Sequence, residues 1–257
     1  GTESYPKMVL HDQKYPLGHY ATSYMCQDMK STDLMWAIAD TGWAKTAWGK
    51  FFGQWLMGAA VLQYDQAGRF DPRTTLCIIQ EFGVTHFCAP PTAYRMLILH
   101  EDDLRKYDYS NLRYCLSAGE PLNPEVIRIW KEHTGQDIYD YYGQTETVAL
   151  LGNSRAFPIR AGSMGKPTLG HDVVVLDDDG GPVGAGEEGH IAVDLSKGRP
   201  PGLFRESWKD PDATSASFRD GFYYTGDKAF VDEDGYFWFV GRSDDVIKAS
   251  GYRIGPF

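Results

Sequence analysis

The sequence has no apolar run approaching the ~20 residues needed to cross a bilayer, and no secretory leader opens it. It holds only four cysteines, Cys26, Cys77, Cys88 and Cys115, with no C-x-x-C pair and no zinc-like spacing. Cys77, Cys88 and Cys115 lie in apolar runs, which predicts reduced, buried thiols in a cytoplasmic protein, not a disulfide scaffold or a metal knuckle. Basic side chains are outnumbered, 25 against 35 acidic, for a net charge of −10. A surface this acidic argues against broad contact with nucleic acid phosphates or anionic lipid, though not against one anion held in a local pocket. Repeats and low-complexity tracts are lacking. No Ser-His-Asp or Cys-His constellation is visible, and none of the 7 histidines falls in the motifs described below. What remains is a chain of 257 residues, 42% hydrophobic and 14% aromatic, enough for one large domain or two modest ones with a buried core.

The first two-thirds alternates strand and helix signals. Gly58 to Tyr64 reads as a buried strand. Asp71-Pro72 supplies an N-cap and a first-turn proline for a helix that stops at Gly83. Val84 to Ala89 is a strand, Pro91 to His100 a helix, and Arg113 to Ala118 a strand. Asn123-Pro124 caps a helix towards Thr134, ended by Gly135, and Asp137 to Tyr141 is a strand. Units of this length predict a parallel sheet flanked by helices. From about Gly162 the texture changes to short β runs between Gly, Pro and Asp turns. These are His171 to Leu176, His190 to Val193, Phe222 to Tyr224 and Tyr236 to Val240, read as antiparallel hairpins of a smaller β-rich subdomain. The fold class is therefore α/β, with a parallel sheet and an antiparallel subdomain.

Two motif-like stretches do not fit the chemistry they suggest. Gly184-Ala-Gly186-Glu-Glu-Gly189 matches G-x-G-x-x-G but precedes a strand instead of opening a helix, with two carboxylates where a pyrophosphate would lie. It reads as a hairpin turn. The acidic turns Asp177–Asp179 and Asp232–Asp234 lack the spacing and closing Glu of a calcium loop.

The informative stretch is Asp140-Tyr141-Tyr142-Gly143-Gln144-Thr145-Glu146-Thr147, directly after a buried strand, where open α/β sheets place ligands. An aromatic plane, a glycine, a hydroxyl and a carboxylate within a few residues suit base stacking, phosphate hydrogen bonding and a hard cation. The same residues equally describe a polar strand-to-loop exit. Its companions, in order, are Ser117-Ala-Gly119-Glu120-Pro121, Tyr224-Thr225-Gly226-Asp227, Gly241-Arg242-Ser243-Asp244 and Lys248-Ala-Ser250-Gly251-Tyr252-Arg253. In front, Gly1-Thr2-Glu3-Ser4-Tyr5-Pro6-Lys7 is similar to the tail of the phosphate loop T-S-G-T-[ST]-G-x-P-K. The series resembles the adenylate-forming, AMP-binding superfamily over essentially the whole chain, and within it the medium-chain acyl-CoA synthetases.

That resemblance implies ATP, Mg²⁺, coenzyme A and a small carboxylic acid as ligands. Thr2, Ser4 and Lys7 would wrap the β- and γ-phosphates, with Ser4 standing where a second loop glycine is usual. Adenine would lie between Gly119-Glu120-Pro121 and Tyr142, with Tyr141 and Gln144 alongside and Asp140 near the exocyclic amine. Thr145 would bond the α-phosphate, Glu146 hold Mg²⁺, Asp227 take the ribose hydroxyls, and Arg242 reach ribose and phosphate. Lys7, Thr145, Glu146 and Arg242 would thus be the catalytic set. Asp244 would be the hinge of a mobile C-terminal domain, and Ser250, Gly251 and Tyr252 would contact coenzyme A.

The implied division is residues 1–160 as the α/β part, 161–243 as the β-rich subdomain, and 244–257 as the hinge and the start of a further domain. Both ends read as cut, and a fragment without the catalytic lysine of that further domain is expected to turn over little substrate. Trp43, in Asp40-Thr41-Gly42-Trp43, reads either as an acyl-pocket wall or as a core aromatic. Gly143 stands where strict acetate-activating members carry Trp, which implies a short- to medium-chain acid and implies that Gly143→Trp would shift preference to acetate. Loading of a carrier protein, or ATP binding without turnover, are the alternatives.

Overall fold

The computed structural model describes residues 8–39, 42–65 and 68–243, and the backbone of 247–249 and 252–254. Strands β1 (Val9–Leu10), β2 (Leu34–Ala37), β3 (Ala60–Leu62), β4 (His86–Cys88), β5 (Tyr114–Ala118), β6 (Ile138–Gly143), β7 (Ala149–Gly152) and β8 (Lys166–Pro167) occupy the first two-thirds. All but β1 form one seven-stranded sheet in the order β3-β2-β4-β5-β6-β7-β8. Pairing is parallel from β3 to β6 and antiparallel at β7 and β8. The run Gly58–Tyr64, expected as a buried strand, is instead the short edge strand β3, half-exposed and paired only with β2. β2, for which the sequence shows no strand signal, is the more central of the two, with Met35, Trp36 and Ala37 buried.

The flanking helices start where their caps say. Pro72–Glu81 opens on Asp71, whose carboxylate accepts from the N–H groups of Arg73 and Thr74 at 3.3 and 3.0 Å. Pro124–Thr134 opens on Asn123 and closes on Gly135 at φ +73°, a left-handed cap that glycine adopts without Cβ strain. Their apolar stripes, with that of Pro91–Ile98, cover one face of the sheet around Trp130, Tyr94, Phe87 and Leu76. On the other face Met35, Cys88, Tyr114, Leu116, Tyr139 and Tyr141 pack with Cys26 and Trp48, which lie on the π-helical segments Thr22–Cys26 and Ala47–Phe51. Of the cysteines expected to be buried, Cys88 and Cys115 are, and so is Cys26. Cys77 faces out, because it sits on the solvent side of its amphipathic helix.

The smaller sheet is antiparallel: β9 (Val173–Leu176), β10 (Gly189–Asp194), β12 (Phe218–Arg219), β13 (Phe222–Val231) and β14 (Phe237–Arg242), in the order β12-β13-β10-β9 with β14 on β13. β11 (Glu206–Ser207) pairs instead with β1. The glycine-rich run before β10 is a turn, closed by the Glu187 carboxylate accepting from Gly184 N–H at 2.8 Å. No helix among the described residues is long and apolar enough to cross a membrane. Asp71→Ala is expected to cost about 1 kcal/mol by removing the cap. The readout is a lower denaturant midpoint at unchanged slope, and an unmoved midpoint would contradict it.

Candidate functional site

The carboxyl ends of β4, β5 and β6 open on one edge, and β6 alternates its side chains across the sheet. Tyr139 and Tyr141 point into the core, and Tyr141 donates its hydroxyl to the Cys26 carbonyl at 2.6 Å. The Tyr141 side chain, grouped from the sequence with the nucleotide contacts, is therefore a packing element. Tyr142 turns the other way and donates to Asp227 Oδ2 at 2.6 Å. Gln144 Nε2 donates to the same oxygen and to Thr225 O, each at 2.8 Å, while its Oε1 accepts from Tyr223 at 2.9 Å. Arg242, opposite Asp227 across β13–β14, donates to Oδ1 at 3.1 Å.

Asp227 is 1% exposed. A carboxylate has about four lone-pair directions, and these bonds use three of them. Glu146 and Asp227 both disfavour ionisation of the Tyr223 hydroxyl, already held well above its ordinary pKa by burial, and Arg242 opposes them. One buried phenol thus senses Glu146, Asp227 and Arg242 together.

The turn beyond β6 closes through Thr147, whose Oγ1 accepts from Gln144 N–H at 3.0 Å. It leaves Thr145 exposed and Glu146 half-exposed. Its carbonyls are pinned from outside: His11 Nε2 lies 2.8 Å from Thr145 O, and Phe204 N–H donates to Glu146 O at 2.7 Å.

Beside this turn, β5 ends at Ala118 and is followed by Gly119 at φ +103°, a half-buried Glu120 that accepts from Arg95 at 3.3 Å, and an exposed Pro121. Lys45 reaches in from the opposite wall and donates to Ala118 O at 2.6 Å. A Cβ on Gly119 would meet its Nζ at 3.6 Å. Burial pulls the Lys45 pKa down, while Cys88, Asp140 and Glu120 support its charge. Asp140 is pushed up to about 8, chiefly by burial, against the Tyr141 N–H and Lys45, and its Oδ1 has no hydrogen-bond partner.

Trp43 is 55% exposed at the start of the short helix Ala44–Thr46, so the core-aromatic reading does not hold. Gly143 is constrained by more than pocket room. A Cβ there would lie 2.4 Å from Val148 O and 3.0 Å from Ala149 Cα, at the irregularity between β6 and β7. Thr2, Ser4, Lys7, Asp244, Ser250 and Gly251 lie outside the described residues. Tyr252 is described only as backbone, in a strand Tyr252–Ile254 paired with Ile247–Ala249.

The family described as AMP-binding enzyme matches residues 1–198. The chain belongs to the AMP-binding enzyme family. Among curated relatives of this AMP-binding chain, the mitochondrial acyl-coenzyme A synthetase ACSM3 of Rattus norvegicus is 48% identical over 258 residues, covering 100% of this chain and 44% of the relative. The 4-hydroxybutyrate–CoA ligase 1 of Metallosphaera sedula is 48% identical over 259 residues, covering 100% and 45%. The crystal structure of Brucella canis acyl-CoA synthetase superposes with a TM-score of 0.85 at 37% identity, covering 100% of this chain and 46% of that one. The chain thus spans less than half the length of these AMP-binding relatives.

Three residues at the site were missed in the sequence: Lys45, His11 and Tyr223. Lys45 sits in a run of Trp, Ala and Gly that also holds Lys50, with nothing local to single it out, whereas His11 and Tyr223 reach the site through contacts 134 and 79 residues apart. Two outcomes follow. A carboxyl whose folded pKa lies above its unfolded ~3.9 stabilises the fold below the lower value and loses that contribution as pH rises through the higher. Asp140→Asn is therefore expected to match wild-type stability near pH 4 and to exceed it by about 2 kcal/mol or more at pH 8. A difference that does not grow with pH in denaturation curves would show that the carboxylate stays ionised. Gly143→Trp is expected to cost about 2 kcal/mol or more through the backbone collision. A variant of unchanged melting temperature would show instead that the strand can yield.

Proposed function

We propose that this chain forms the nucleotide site of an enzyme that activates a carboxylic acid with ATP and passes the acyl group to coenzyme A. The observation that carries this reading is the Tyr142–Gln144–Asp227–Arg242 junction, which joins residues 85 apart in the chain around one buried carboxylate beside an exposed turn. In the first step a substrate carboxylate oxygen attacks the α-phosphorus of ATP and pyrophosphate leaves. In the second, the thiol sulfur attacks the acyl carbonyl, AMP departs, and the thiol proton is released. The first nucleophile is already an anion, so positioning and charge neutralisation do the work without a strong base.

In this reading the Tyr142 ring stacks on adenine opposite Gly119-Glu120-Pro121, and the Asp140 carboxyl accepts from the exocyclic amine. Thr145 bonds the α-phosphate, and Arg242 spans ribose and phosphate. Asp227 takes the ribose, with one free lone-pair direction for a hydroxyl and a second gained if Tyr142 or Gln144 gives way. No cluster of three His, Cys, Asp or Glu side chains suited to a metal occurs among the described residues. Mg²⁺ binds mainly to phosphate oxygens and water with one or two carboxylates, and the half-exposed Glu146 carboxylate fits that smaller demand. Bound there, the ion would neutralise phosphate charge. Lys7, Thr2 and Ser4 would close over the outer phosphates, Asp244 would act as hinge, and Ser250, Gly251 and Tyr252 would face coenzyme A.

The acid is short- to medium-chain, a class that includes the 4-hydroxybutyrate of the Metallosphaera sedula relative's name. The cytoplasmic assignment rests on composition, while the rat relative is named as mitochondrial. The intact protein, given ATP, Mg²⁺, coenzyme A and acids from acetate to octanoate, is expected to release AMP and pyrophosphate and to favour hexanoate over acetate. Asp227→Ala is expected to lower kcat/KM for ATP about 100-fold, or ~2.7 kcal/mol. No acyl-adenylate with any acid would overturn the activity, and a clear acetate preference would overturn the chain-length reading.

A further inference from the structure

The turn Gln144–Thr147 carries two side chains that the proposed reaction depends on, yet it is a surface turn. Its internal bonds, Gln144 N–H to Thr147 Oγ1 at 3.0 Å and Thr147 N–H to Gln144 O at 3.1 Å, close it without orienting it. The Gln144 side chain ties the first residue to Thr225 and Asp227, and the middle of the turn is oriented by a two-stranded ribbon outside both sheets. β1 and β11 pair there, with Arg205 N–H donating to Leu10 O at 2.6 Å. The residue after β1, His11, reaches Thr145 O at 2.8 Å. The residue before Arg205, Phe204, donates its N–H to Glu146 O at 2.7 Å.

A carbonyl oxygen only accepts, so His11 carries its hydrogen on Nε2 and is the neutral tautomer or the cation. Burial lowers its pKa, against the Thr145 carbonyl and the charges of Glu146 and Asp12, which favours the neutral form. The ring is stacked obliquely on Tyr15, centroids 3.9 Å apart, and Tyr15 packs edge-on against His19. The imidazole is thereby held at a set angle when it meets the turn. Because the peptide unit is planar, fixing the Thr145 carbonyl fixes the whole Thr145–Glu146 plane and the Cα positions from which both side chains project.

We propose that His11 is a positioning residue, holding the Thr145–Glu146 peptide so that the Thr145 hydroxyl and the Glu146 carboxylate meet the nucleotide's phosphates. The assignment rests on the ATP-dependent reading above. It does not make His11 catalytic, since its Nε2–H is committed to the backbone. Misplacement of about 1 Å in such a turn can cost on the order of 100-fold in rate.

The test uses the intact protein and three variants. His11→Phe keeps a ring against Tyr15 but removes the donor, His11→Gln restores an N–H at similar reach, and His11→Ala removes both. Two readouts are taken, steady-state kinetics and calorimetric binding of a non-hydrolysable ATP analogue with Mg²⁺. His11→Phe is expected to bind the analogue about 10-fold more weakly, the effect of losing one well-placed hydrogen bond. It should also raise KM for ATP and lower kcat, leaving KM for the acid within about twofold. His11→Gln should recover most of the binding, and His11→Ala should be no better than His11→Phe. The proposal is overturned if His11→Phe binds as wild type does, if His11→Gln is no better than His11→Phe, or if acid and ATP KM values rise together. Wild-type protein that fails to bind the analogue would sink the nucleotide reading itself, an outcome distinct from those three.

Discussion

The Asp227 carboxylate is the constraint on which the rest of the site depends. It is almost fully buried, and a buried charge persists only when paired and hydrogen-bonded. Two of its donors, Tyr142 and Gln144, come from the end of the parallel sheet, and the third, Arg242, from the neighbouring strand of the small sheet. Removing any of them leaves part of a buried anion unsatisfied, so the two sheets are held in register by a penalty for separating as well as by apolar contact. Tyr142 and Val9 pack at the margin of the small sheet's core, so the same junction is sealed from water by aliphatic and aromatic surface.

Seen from the sequence, the elements that announced themselves were those with local chemistry. Asp71-Pro72, Asn123-Pro124 and Gly135 each mark a helix end through a bond or a φ angle made within a few residues, and the structure places the ends there. β2 carried no such mark. Leu34-Met-Trp-Ala is too short to show a period, and its identity as a strand comes from β3 and β4 on either side of it. The helical layer on either side of β2, Tyr15 to Cys26 and Ala44 to Leu56, was equally opaque. Its two π-helical segments break the 3.6-residue repeat that a helix reading relies on, and its core is tied by long-range polar bonds such as Gln54 to Gln27.

At the site the same division holds one level up. The motif residues around Asp140, Asp227 and Arg242 could be found from their order, but not their condition. Alternation along β6 sends Tyr141 inward and Tyr142 outward, although the two are chemically alike in the sequence. Gly143 looks from the sequence like room for a ligand, whereas its backbone neighbours at Val148 and Ala149 already demand glycine. Lys45 and His11 enter only through the tertiary fold, Lys45 from the short helix Ala44–Thr46 and His11 from the end of the β1–β11 ribbon.

Two buried groups at the carboxyl end of the sheet bear on the proposed nucleotide reading. Ser117 on β5 and Asp140 on β6 are register partners, so in parallel strands they share a face. Both are buried, and Ser117 Oγ and Asp140 Oδ1 each have no hydrogen-bond partner in the protein. An unsatisfied buried polar atom costs about 1–3 kcal/mol, and native folds keep few of them. Two on adjacent strands, beside the half-buried ammonium of Lys45 and the open backbone at Gly119, make a local deficit that core packing does not require, since Ala or Val would fill the same space. The deficit has a reason if a ligand supplies the missing donors. An exocyclic amine of a base offers two N–H groups in one plane, which matches two acceptors on one face of neighbouring strands. Under the proposed nucleotide reading those bonds would be made to the amine, and the neutral carboxyl that burial favours at Asp140 would still accept through its carbonyl oxygen.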